Sequence, residues 1–339
     1  MMSEENNNSR MIVLFIGSLF VVAITMIVVI FVATRRPVVV VIPAGADGSG
    51  IVAPGAAPSA GSAPAAAAQT PAAPPMISLV RVNSAPTIDD PLNPAWDSIA
   101  KFKIPVEMQK TAEPMLDSQT VKEVELQAVH DATRYVWRLS WEQAEPSYKS
   151  NVSEFSDAIA IQFPLKDGAP YTMGGPDMPV AMMYWKALWQ KDIDEGFQDV
   201  TQVYPNSWYD LYWFAKGTGP QPVATAFEEP TSRQFMSGMA AGNTMSNPHR
   251  AHPVQELRAE GFGSSTPLPK SPVSARGVWK AGRWYVVFER PNDSVDPLIK
   301  RFMDNPEQQM LALAVWDGLA QNRGGKKHIT NWLPMKVEK

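Results

Sequence analysis

Four histidines, seventeen methionines, eleven tryptophans and no cysteine set the chemistry open to these 339 residues. The lack of cysteine excludes disulfides, thiolate zinc sites, cysteine-ligated iron–sulfur clusters, thiol nucleophiles and a covalently attached c-type haem. His249 and His252 have i, i+3 spacing, but Pro248 and Pro253 bracket them, so a loop pair is expected rather than a zinc-binding helix face. His130 and His328 stand alone. No Gly-x-Ser-x-Gly, His-Glu-x-x-His or phosphate-cradling loop occurs, and Gly261-Phe-Gly-Ser-Ser reads as a turn. Asp157 beside a strand suits half of an acid/base pair, yet local spacing places no second carboxylate with it. The densest chemical signal is Met173, Met178, Met182 and Met183, followed by Tyr184, Trp185 and Trp189. Such a cluster serves as adaptable core or interface, and it also offers the soft thioethers that haem iron and copper accept.

A formal charge of −4 with 19% charged residues leaves no basic field for nucleic acid. The apolar residues are instead segregated along the chain. Residues 11–33 run without a charge and are long enough for one membrane-spanning helix, and Arg35 and Arg36 after the run argue for a retained anchor over a cleaved signal. Arginines flank both sides, so charge alone does not orient the span. Residues 1–10 form a short N-terminal tail. Residues 34–76, mostly Ala, Pro, Gly and Ser, read as a tether spanning roughly 30–100 Å.

The folded part expected is residues 77–339. Its patterning is period-two: residues 121–129, 134–141 and 157–163 alternate as half-buried strands do. Residues 275–279 and 284–288 flank the turn Lys280-Ala-Gly-Arg283 as a hairpin. Residues 182–190 are readable as a short helix or as an aromatic-rich strand, and 31 prolines limit long helices. The expectation is a mainly β fold, a β-sandwich with long loops, preceded by one transmembrane helix.

Seven pieces occur in order: Phe155-Ser-Asp-Ala-Ile-Ala-Ile-Gln-Phe-Pro164; Tyr171-Thr-Met-Gly174; Pro179-Val-Ala-Met-Met-Tyr-Trp-Lys-Ala187; Pro253-Val-Gln-Glu-Leu-Arg-Ala-Glu-Gly-Phe-Gly263; Gly277 to Arg290 across the hairpin; Leu313-Ala-Val-Trp-Asp-Gly318; and Gly325-Lys-Lys-His-Ile-Thr-Asn-Trp332. This set resembles the haem b binding domain of ethylbenzene dehydrogenase gamma subunits, the cytochrome subunits of the type II dimethyl sulfoxide reductase family. The resemblance covers nearly all of residues 77–339. It implies an immunoglobulin-like sandwich related to carbohydrate-binding modules, around one non-covalent haem b held by a methionine and a lysine.

Carried onto this chain, the methionine is Met173. The lysine is assigned to Lys327, five residues before Trp332, with Lys326, Lys270 and His328 as alternatives. Only an unprotonated lysine can ligate, so the resemblance implies ligation that weakens in acid. It further implies an electron-transfer subunit working with iron–sulfur and molybdopterin subunits and a soluble or membrane electron carrier; the span read at residues 11–33 makes it membrane-anchored, and resemblance and tether together place the folded domain on the extracytoplasmic side. The substrate-converting chain would be a partner. The span, the tether and the aromatic stretch from Gln190 to Gly261 depart from a minimal member. The competing reading is a tethered carbohydrate- or ligand-binding sandwich without haem, stacking sugars on Trp189, Trp208 and Trp213.

Overall fold

The structure, a computed structural model, describes residues 74–196, 204–206, 237–241, 243 and 250–339. The expected span, most of the tether, His249, Trp208 and Trp213 lie outside the described residues. Among the described residues no helix is long and apolar enough to cross a membrane.

Strands dominate, as the alternation predicts. In chain order they are β1 (Ile77–Arg81), β2 (Phe102–Pro105), β3 (Glu107–Met108), β4 (Glu123–His130), β5 (Arg134–Glu142), β6 (Tyr148–Asn151), β7 (Glu154–Ser156) and β8 (Ala158–Pro164). There follow β9 (Val180–Lys186), β10 (Val254–Ala259), β11 (Thr266–Pro267), β12 (Ser274–Lys280), β13 (Arg283–Pro291), β14 (Gln309–Trp316), β15 (His328–Ile329) and β16 (Leu333–Val337). Two helices matter here, α1 (Ala187–Glu195) and α2 (Pro297–Asp304). The ambiguous residues 182–190 divide between both readings: β9 runs through Lys186, and α1 begins at Ala187.

One sheet carries the path β11-β10-β9-β8-β14-β16-β1-β4-β5-β13-β12, with β15, β3 and β2 paired beside it. It curls, so that its two wings face each other. Trp185 on β9 meets Trp284 on β13 at 5.0 Å and Trp141 on β5 at 6.4 Å between ring centroids, and Trp137 meets Phe163 at 5.4 Å. Gly277 on β12 lacks a Cβ because the Trp185 ring occupies that place. The expected two layers are therefore wings of a single sheet, joined through parallel β1 and β16. The β12–β13 hairpin closes at Lys280 and Arg283 over Ala281 and Gly282, both with positive φ (50° and 77°), the two-residue turn that matches strand twist.

Large side chains of both wings fill the space between them. Ile159, Ile161 and Phe163 from β8 and Leu311, Leu313 and Val315 from β14 belong to the main core, each at most 2% exposed. Phe302 of α2 closes one end against Tyr135, Trp137 and Phe163. That helix starts cleanly because Asp296 accepts the N–H of Leu298 and Ile299, with Pro297 in the first turn. β8 is buried at every position, and its outward face gives onto a cavity rather than onto bulk solvent.

Candidate functional site

The outward face of the β10-β9-β8-β14-β15 wing forms a floor two rows deep. One row pairs Leu257, Met182, Gln162 and Ala312; the next pairs Tyr184, Ala160, Ala314 and Ile329. Directly paired antiparallel residues project to the same side, so each row is one strip of surface. Alanines on the two central strands keep it low. Above this floor lies a cavity of about 430 Å³, lined also by Met173, Trp316 and Lys327, a size that suits a small-molecule or cofactor site.

Met173 reaches the cavity from the β8–β9 connection. Its φ is +71°, an unusual conformation for a residue with a side chain. Three hydrogen bonds hold the turn: Gln162 Nε2 donates to the Tyr171 carbonyl (2.9 Å), Gly174 N–H to the Pro170 carbonyl (2.9 Å) and Gly261 N–H to the Met173 carbonyl (2.8 Å). Trp332 Nε1 adds a bond to the Ala169 carbonyl at 2.7 Å. Gly174 is required, because at φ +75° a Cβ would lie 2.5 Å from the Met178 carbonyl oxygen and 2.9 Å from that of Ala259.

Lys327 enters from the β14–β15 connection. Its carbonyl accepts the Gln109 N–H at 3.0 Å. The Gln109 side chain, 4% exposed, donates to the carbonyls of Ala112 and Pro114 and accepts the N–H groups of Thr111 and Ala112, setting the adjoining wall. Gly325 lets that wall approach, since a Cβ there would lie 2.8 Å from the Pro114 oxygen. Lys327 Nζ ends 3.7 Å from Met173 Sδ and 5.4 Å from the Trp316 ring centroid. Among the described residues no carboxylate pairs with it, and burial lowers its pKa from 10.5 to about 8. A thioether and a readily neutralised amine thus meet across an apolar chamber, two donors suited to one soft metal centre.

The other candidate ligands among the described residues stand elsewhere. Lys326 pairs with Asp117 at 3.4 Å, and Lys270 is exposed. His328 is fully buried, and its Nε2 accepts the N–H of Thr120 (3.0 Å) and Val121 (3.4 Å), while burial lowers its pKa. His130 Nε2 lies 2.7 Å from the Glu338 carbonyl, and His252 is exposed.

Asp157 is not available for acid/base work. It is 0% exposed and accepts from Ser147 N–H, Gly318 N–H and Trp284 Nε1, while burial pushes its pKa up to about 6 against those donors. Its task is to tie the Phe155–Pro164 and Leu313–Gly318 pieces to the hairpin. Trp189 is 7% exposed beneath the Arg250 guanidinium, 4.0 Å from its ring centroid, which removes it from a sugar-stacking surface. The floor alanines are the site residues that sequence reasoning missed. Their signal was the repeated large-small alternation of Ala-Ile-Ala-Ile and Leu-Ala-Leu-Ala.

Comparison with known proteins finds relatives in sequence and in fold. A Haloferax mediterranei protein, provisionally named a respiratory nitrate reductase heme subunit, is 23% identical over 261 residues, covering 75% of this chain and 71% of that protein. Among solved structures, a provisionally named carbohydrate-binding protein from Bacteroides uniformis aligns with TM-score 0.39 and 8% identity, covering 78% of this chain and 100% of the other. A family 9 carbohydrate-binding module from Caldicellulosiruptor kristjanssonii, in complex with glucose, aligns with TM-score 0.36 and 9% identity, covering 78% and 96%. The sequence model described as ethylbenzene dehydrogenase matches residues 93–328, a segment that includes both Met173 and Lys327. The chain belongs to the ethylbenzene dehydrogenase family.

Proposed function

We propose that this chain is a haem-carrying electron-transfer subunit of a respiratory oxidoreductase, with one non-covalent haem b in the cavity that Met173 and Lys327 would hold. The observation that carries this reading is the 3.7 Å approach of the Lys327 amine to the Met173 thioether. The lining fits such a group: beside Gln109, Glu113, Gln162 and several hydroxyls, the alanine, leucine, isoleucine, methionine and aromatic side chains make most of it apolar around the desolvated Lys327 amine. Haem bound there would supply reversible one-electron chemistry at iron.

The chain's own residues do the rest. Met173 offers a neutral, soft sulfur, which favours the reduced metal and raises its potential. Lys327, held near pKa 8 by burial, offers a neutral amine at modest proton cost. Ala160, Ala312 and Ala314 give a flat apolar floor, and Trp316 and Tyr184, 5.1 Å apart, wall one side and exclude water. The name of the Haloferax relative supports a respiratory partnership. The reading extends to iron–sulfur and molybdopterin partner subunits, an external electron carrier, and a single span at residues 11–33 that holds the domain on the extracytoplasmic side.

The test is an oxidised-minus-reduced spectrum of the full chain supplied with haem, with a pyridine haemochrome to fix haem type. The expected result is a low-spin b-type spectrum that Met173→Ala or Lys327→Ala disrupts. Folded chain that takes up no haem would overturn the reading.

A further inference from the structure

Phe262 lines the cavity and yet is 58% exposed, one of nine large hydrophobic side chains exposed among the described residues. Its neighbours explain how it is carried. Gly261 has φ +116° and Gly263 φ +86°, and a Cβ on either would meet nothing within 4 Å. Packing therefore asks for glycine at neither place; only the backbone conformation does. The root of the loop is firm. Ser264 Oγ donates to the Gly261 carbonyl (2.6 Å) and accepts the Glu260 N–H (2.8 Å), and Arg258 pairs with Thr266 between β10 and β11. Gly261 N–H also donates to the Met173 carbonyl at 2.8 Å, so the loop is fastened to the turn that presents the thioether.

A phenyl ring carried on a fastened turn at the rim of an apolar chamber is placed to lie over its opening. We propose that Phe262 is a side-chain cover of the cavity, a positioning residue that governs how fast the bound planar group leaves and how far external ligands reach Met173. This inference rests on reading the cavity as a haem site. Exposed as it is, Phe262 gives the empty protein little packing, whereas over a bound apolar ring it loses its remaining contact with water.

The experiment loads the full chain with ferric haem and follows transfer to excess apomyoglobin, for the wild type and for Phe262→Ala and Phe262→Leu. Phe262→Ala is expected to release haem roughly tenfold faster and to bind added imidazole faster, with Phe262→Leu restoring most of the difference. The thermal midpoint of the haem-free protein is expected to be the same for all three. Equal release from wild type and Phe262→Ala overturns the cover while leaving the haem reading intact. A fall in the haem-free midpoint of Phe262→Ala that matches its faster release also overturns it, because the ring is then structural. Wild-type chain that takes up no haem overturns the haem reading and the cover together.

Discussion

Ala160 on β8 and Ala314 on β14 stand directly opposite each other at the centre of the cavity floor. Their chain neighbours Ile159 and Ile161, Leu313 and Val315 point the other way, into the core. At Ala160, Ala312 and Ala314 the same two strands thus withhold on the outer face the volume that their neighbours put into the core. Because strand side chains alternate, the wing can hold together from its inner face while the outer face stays open for a guest.

Replacing Ala160 by leucine fills that space from below. The added side chain enters the cavity rather than the core, so the haem-free protein is expected to keep its stability. Haem affinity is expected to fall roughly 10- to 100-fold, matching an overpacking cost of about 1–3 kcal/mol borne only by the bound state. Titration of the haem-free variant with haem checks this. Unchanged affinity would mean that the floor is not where the group lies.

Gly174→Ala tests the turn that presents Met173. Two backbone carbonyls block the new methyl, and neither can swing away as a side-chain tip would. The expected loss is at least about 2 kcal/mol, from left-handed strain together with the clash. Gly168→Ala is the control: its φ is also positive, at +78°, but a Cβ there meets nothing within 4 Å. It is expected to cost about 1 kcal/mol and to leave the haem spectrum alone. Urea unfolding and optical spectra of both variants decide whether the close approach at Gly174, and not positive φ alone, sets the site.

The strands were legible because period two survives in sequence. Residues 134–141 and 157–163 became β5 and β8 with ends shifted by one residue, and the hairpin closed where its turn residues lie. The boundary inside residues 182–190 was not legible, because Met182 through Trp189 suit a buried strand and a helix equally and only pairing with β8 and β10 decides. The floor escaped notice for a similar reason: alanine satisfies a hydrophobic alternation without showing that its face is roofed by empty volume. Nor does spacing bring Met173 to Lys327, which are 154 residues apart. That pair was named through family resemblance, and its approach depends on Gln109, Gly174 and Gly325, whose roles are tertiary.

Acid stability is expected to depend on Asp131, remote from the cavity lining. Burial pushes its carboxyl upward, but the N–H groups of Ala85, Thr133 and Arg134 and the Thr133 hydroxyl outweigh this and hold it down to about 2. A pKa lowered on folding stabilises fully above the ordinary 3.8 and is lost as pH falls through about 2. Allowing for screening by nearby solvent, the contribution is roughly 1–2 kcal/mol. Asp131→Asn is expected to lose that amount at pH 7 and to approach the wild type near pH 2. Urea midpoints at the two pH values measure it, and an equal deficit at both would assign the loss to geometry rather than charge.

Gln109 offers the sharpest separation of position from ligation. Its backbone N–H holds the Lys327 carbonyl, and its buried amide fixes residues 111–114 through four further hydrogen bonds. Gln109→Ala keeps the backbone bond and removes the amide, leaving two N–H groups and two carbonyls of that wall to find other partners. A loss of about 1–3 kcal/mol is expected from groups left without their bonds. If the wall positions Lys327, the haem-loaded variant should show a mixed high- and low-spin spectrum, and adding imidazole should restore the low-spin form. A variant that loses stability yet keeps the wild-type spectrum would mean that Lys327 is placed by its own strand and by the carbonyl bond alone, and that the wall serves only to close the cavity.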